Sequence, residues 1–152
     1  MAVAETNNFG SISYDAGSVI EFPRGLPGFE ERRLFVALQF QDTAPVVFLQ
    51  SLEIPGLCFI TMPVLAVDPQ YRLEMSGEDL GQLELPSNPQ PIIGKQILCL
   101  TVLSIGEGGP TANLLAPVVV NLVNLKAVQA VAPDSGYSHQ HVMVPEEALV
   151  CS

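Results

Sequence analysis

The sequence predicts an all-β domain, a small closed or partly open β-barrel of short strands with one short helix near residues 76–83. Three observations predict it. Short apolar runs rich in Val, Ile and Phe recur along the chain; 12 Gly and 13 Pro fall largely between them; and runs such as 97–103 are apolar at nearly every position. Strands separated by Gly and Pro turns build barrels or sandwiches, and an uninterrupted apolar strand is one buried on both faces. Closing the sheet also removes the edge strands that an apolar chain tolerates least.

In chain order, residues 9–14 alternate large and small side chains and read as a first strand. Asp15-Ala-Gly17 is a turn, and 18–22 a returning strand. Pro23, Gly25, Pro27 and Gly28 punctuate the next segment so densely that neither helix nor central strand persists there, so their expected role is to set a turn, with Phe29 anchoring it to the core. A helical turn is expected over 29–34, then strands over 34–40, 46–51 and 58–62, and a short one over 71–75. Ser76 is a fitting N-cap, and Glu78 and Asp79 suit the positive end of the helix that follows. After the Pro86, Pro89 and Pro91 connector come strands at 96–105, 111–115, 117–125 and 126–132, with the Gly-rich turn 106–110 between the first two. Residues 1–152 form a single domain in which 133–152 is a weakly structured tail with one possible helical turn at 146–150.

The chain carries sixteen acids against six Lys and Arg, a net charge of −10, and twelve of the acids precede residue 85. Such a body repels phosphate, so direct nucleic-acid binding is not expected, while a basic protein is attracted to it. The N-terminus lacks the basic and apolar regions of a signal peptide, and no stretch has the length and apolarity of a membrane span. Together with an odd cysteine count (Cys58, Cys99, Cys151), this places the chain in the cytoplasm with reduced thiols and no membrane partner.

Catalytic and metal signatures are thin. His139 and His141 would share one face of a strand but lack further ligands. No nucleophile elbow exists, and Cys58 and Cys99 have apolar neighbours. Gly106-Glu-Gly-Gly109 carries an acid and no Lys-Ser/Thr, so it reads as a hairpin and not a phosphate loop. No cofactor, metal or enzymatic activity is expected, and the chain reads as a protein-binding module. The alternative is a ligand-binding β-barrel, or a small enzyme, whose pocket is not visible in sequence.

Ile20-Glu-Phe-Pro-Arg-Gly-Leu-Pro-Gly-Phe-Glu30 resembles the FPxGLPGFE signature of the FliW family. Phe48-Leu-Gln-Ser-Leu-Glu53, Leu57-Cys-Phe-Ile60, Asp68-Pro-Gln-Tyr71 and Thr111-Ala-Asn-Leu-Leu-Ala-Pro-Val-Val-Val-Asn121 resemble further family segments in the same order. The chain departs from the pattern at Arg72, at Lys126-Ala-Val-Gln-Ala-Val131 and at Tyr137-Ser-His-Gln-His141. The resemblance implies a non-catalytic regulator of flagellar assembly with two protein partners: CsrA, whose repression of flagellin mRNA it relieves, and flagellin, which competes for it. For the partner surface the expected residues are Asp68, Tyr71 and Glu74, with Gln50, Glu53 and Asn113 behind them, because Tyr anchors interfaces and acids pair with a basic partner.

Overall fold

The computed structural model describes residues 2–26, 28–131 and 135–143. Its strands are β1 (Ala2–Thr6), β2 (Gly10–Tyr14), β3 (Val19–Glu21), β4 (Leu34–Gln39), β5 (Val47–Ser51), β6 (Cys58–Pro63), β7 (Ile97–Gly106), β8 (Gly109–Ala112), β9 (Val118–Asn121), β10 (Ala127–Gln129) and β11 (His141–Val142). Two short helices, α1 (Val64–Val67) and α2 (Gly77–Gln82), lie between β6 and β7.

Nine strands form one sheet along the path β10-β9-β7-β6-β5-β4-β3, with β8 on β7 and β11 on β8. Among the described residues the ends of that path meet at a single bridge, Glu21 to Lys126, where Glu21 N–H donates to Leu125 C=O at 3.0 Å. The sheet is therefore a partly open barrel. Within the path, β7 changes neighbours midway: Ile97–Leu100 pair with β9, whereas Leu103–Gly106 pair with β8. Between them Asn113 peels away, its N–H on Val102 C=O and its C=O on Thr101 Oγ1.

Facing residues in register share a face, and the inner face reads Ile20 against Phe35, Leu49 against Phe59, Leu100 against Val118, and Val120 against Ala127. These residues fill the barrel together with Phe22 and Leu26. A second core lies on the outer face of β7 and β9, where Ile97, Cys99 and Val119 are covered by Tyr71, Met75, Leu80, Leu83 and Leu114. All four residues of β9 are thus buried, which explains its unbroken Val run.

Several local expectations are corrected. Residues 2–6, where the sequence suggested no element, form β1 and pair with β2, so β2 does not return onto β3; Asp15 Oδ1 instead caps a short turn through Gly17 N–H at 2.9 Å. Residues 29–34 hold a single turn, closed by Arg32 N–H on Phe29 C=O at 2.9 Å, and no helix; Leu26 and Phe29 form an isolated bridge ahead of β4. Residues 71–75 are not a strand, because side chains satisfy their backbone. Gln90 binds both polar groups of Met75, and Tyr137 Oη accepts from Arg72 N–H. The helix expected near 76–83 is present as α2, with Ser76 Oγ capping Asp79 N–H at 3.1 Å. The helical turn expected at 146–150 lies outside the described residues, as do Pro27 and Cys151.

Candidate functional site

Five of the six residues expected at a partner surface make side-chain hydrogen bonds within the fold, Asn113 by accepting Ala116 N–H. Tyr71 is 8% exposed; its hydroxyl donates to Leu114 C=O at 2.6 Å and its ring stacks on Tyr137 at 4.3 Å. Burial, followed by the Cys99, Tyr137 and Asp68 charges, pushes its pKa well above the usual phenol range. Gln50 is fully buried and donates to Ser51 C=O and Pro55 C=O at 3.1 and 3.2 Å, with Oε1 unpartnered among the described residues. Glu53 accepts the N–H groups of Arg33 and Leu34 at 2.7 and 3.1 Å, and Asp68 accepts Gln70 N–H at 2.9 Å. Tyr71 and Gln50 therefore offer no side-chain surface to a partner, while Glu74 stays exposed and Asn113 half-buried.

The turn residues behave as their chemistry requires. Gly25 has φ +68°, and a Cβ there would meet Glu30 Cα at 2.5 Å, so only glycine fits. Pro23 precedes it in the same turn, closed by Gly25 N–H on Phe22 C=O at 2.9 Å. Gly28 has φ +86° with open space around it. Phe29 is 39% exposed yet meets Phe59 edge-on at 5.6 Å, a partial anchor.

The surface is strongly acidic. Of the six cations, Arg24 is bound by Glu78 at 2.6 Å and Lys126 by Glu84. The Glu84 contact, through hydrogen bond and charge, raises the pKa of Lys126. These exposed pairs add little stability. They do absorb two of the few positive charges, so exposed acids such as Glu30, Glu31, Asp42 and Glu74 dominate the surface. Burial holds the Cys99 thiol up at about 12 and raises that of Cys58, so neither is a reactive thiolate.

A cleft of about 290 Å³ enters the mouth where β7 leaves β9. Its floor is apolar: Leu26, Leu49, Phe59, Val102 and Val118. Its rim is polar: Ser104, Asn113, Gln129, His139 and Gln140. Sequence reasoning found Asn113 and missed the rest of the rim. The one available signal was Gln129, a polar residue at an inner-face position, in register with Val118. The only acid–base group in the lining is the imidazole of His139, with no carboxylate or thiol to orient it. Among the described residues no group of three His, Cys, Asp or Glu is placed to hold a metal ion, and no helix is long and apolar enough to cross a membrane.

Comparison with known proteins covers the whole described fold. The family model described as FliW protein matches residues 3–143. A flagellar assembly factor FliW from Geobacillus sp. (strain WCH70) is 32% identical over 145 residues, spanning 93% of this chain and 95% of that protein. The flagellar assembly factor FliW of Thermosipho africanus is 31% identical over 135 residues, 87% of this chain and 89% of its own. A crystal structure of the flagellar assembly factor FliW superposes with a TM-score of 0.81 at 30% identity, covering 96% of this chain and 99% of that one. With the family model matched from β1 to β11 and the same fold in a solved relative, this chain belongs to the FliW family.

Proposed function

We propose that this protein is a cytoplasmic, non-catalytic regulator that binds CsrA and frees flagellin mRNA from its repression, with flagellin as the competing partner. The observation that carries the reading is the unbroken similarity of residues 3–143 to flagellar assembly factors. The net charge of −10 supplies a physical route. An acidic body docked beside a basic RNA-binding groove repels phosphate, and about 1.4 kcal/mol of repulsion weakens RNA binding tenfold. The rival reading, a ligand-binding barrel, draws on the mouth cleft alone.

Calorimetric titration of the full chain with CsrA and with flagellin from the same organism tests the proposal. The expected result is saturable binding to both, mutual competition, release of RNA from CsrA, and weaker CsrA binding as salt rises from about 0.05 to 0.5 M and the Debye length contracts. Heatless titrations with both proteins would refute it.

A further inference from the structure

The mouth cleft has the chemistry of a peptide site. In a chain of net charge −10, its lining among the described residues contains no carboxylate and no Lys or Arg. Its polar rim is instead made of amides, a hydroxyl and an imidazole. Asn113 uses Oδ1 to accept Ala116 N–H at 3.0 Å, and Gln129 uses Nε2 to donate to Ala116 C=O at 2.9 Å. Each amide thus has one half committed to holding it in place. What is left, among the described residues, is a donor on Asn113 and an acceptor on Gln129, the complement of a peptide bond's C=O and N–H.

The backbone supplies a second, independent feature. Along β10, Lys126 C=O and Ala130 N–H bond to the β9 side. Antiparallel pairing alternates, so Gln129 turns its own N–H and C=O to the opposite side, beyond the single Glu21–Lys126 bridge where β3 and β10 part. An edge with outward N–H and C=O groups accepts an added strand.

We propose that the cleft receives an extended, uncharged peptide segment of a partner protein, paired with the open edge of β10 at Gln129 and placing one aliphatic side chain against the half-buried Phe59 and Val102. The volume, about 290 Å³, sits at the small end of ligand cavities and suits one such side chain with its adjoining backbone. The inference rests on the reading of this chain as a protein-binding module, but it concerns a polar site distinct from the acidic outer surface.

The test is selection of a displayed random 12-residue peptide library on the full chain, depleted on Ser104→Trp. Ser104 is exposed at the rim, so the indole plugs the mouth without entering the core, and thermal melting checks the fold. The expected outcome is enrichment of uncharged peptides with spaced aliphatic residues. Their synthetic forms should bind at least about tenfold tighter to wild type and Ser104→Ala than to Ser104→Trp, and should shift the amide resonances of Asn113 and Gln129. The proposal is overturned by no enrichment, by peptides dominated by Lys and Arg, or by equal binding to Ser104→Trp. It is equally overturned if deleting residues 144–152 alone shifts those resonances, or if Ser104→Trp abolishes self-association, since the occupant is then the chain's own tail or a second copy. Calorimetry with CsrA and flagellin runs in parallel: binding of either protein with no cleft peptide sinks this inference alone, and cleft peptides without either protein sink the function alone.

Discussion

The hydroxyl of Tyr71 donates to Leu114 C=O at 2.6 Å, tying the loop before α2 to the segment between β8 and β9, 43 residues away. Tyr71→Phe keeps the stack on Tyr137 but leaves that carbonyl buried without its donor, a loss of about 1–2 kcal/mol. Urea denaturation should show the loss, while calorimetry should show partner affinity unchanged, because the phenol does not reach the surface.

The same burial predicts an alkaline limit to stability. The folded pKa values of Tyr71 and Cys99 both lie above their unfolded ones, that of Cys99 at about 12 against an ordinary value of 9.0. Between these values the unfolded chain has released protons that the folded chain retains. The stabilisation is therefore complete below about pH 9 and is lost as pH rises toward 12. Melting temperature measured from pH 8 to 11 should fall, and less steeply in Cys99→Ala than in wild type relative to each protein's value at pH 8.

Asn121 holds the end of β9 against α2. It is 4% exposed; Nδ2 donates to Leu83 C=O at 2.7 Å and Oδ1 accepts Val123 N–H at 2.8 Å. Asn121→Ala leaves Leu83 C=O only the longer bond from Asn124 Nδ2 at 3.3 Å and removes the acceptor of Val123 N–H, costing about 1–3 kcal/mol. Asn121→Asp should be no better, since it keeps the acceptor while facing Leu83 C=O with a charge. Chemical denaturation of the two variants checks both statements.

Two glycines of one turn separate the effects of space and backbone strain. Gly25 and Gly28 both have positive φ, but only at Gly25 does an added Cβ strike the Glu30 backbone. Gly28→Ala should cost about 1 kcal/mol for the strained backbone alone, and Gly25→Ala clearly more, because backbone must move. Equal denaturation midpoints would contradict this.

What was legible in the sequence was what local chemistry decides. Ser76, Glu78 and Asp79 announced α2, and the Gly and Pro run at 23–28 announced a turn, because capping and φ preferences act within a few residues. β1 was missed because Ala2, Ala4 and Glu5 are weak strand formers and the segment is held as a strand by pairing with β2. Tyr71 read as an interface anchor because its burial depends on Leu114 and Tyr137, far along the chain. The cleft was hidden for the same reason: its rim gathers Ser104, Asn113, Gln129 and His139 from separate elements, and no spacing in the sequence links them.

The β1–β2 hairpin is a sheet of its own, and its hold on the barrel is narrow. Asn7 N–H donates to Pro55 C=O at 2.9 Å, and the Phe9 ring sits 5.3 Å from Phe40 and 5.2 Å from Phe48. A two-stranded hairpin is marginal by itself, so its order depends on those aromatic contacts. Phe9→Ala removes both, at about 0.5–1.5 kcal/mol each beyond the lost apolar burial. Hydrogen exchange should then show the amides of Ala2–Thr6 and Gly10–Tyr14 opening well before those of β4, β5 and β7, whose core lies on the far side of the sheet. If the hairpin instead keeps wild-type protection in Phe9→Ala, the aromatic triad is not what fastens it.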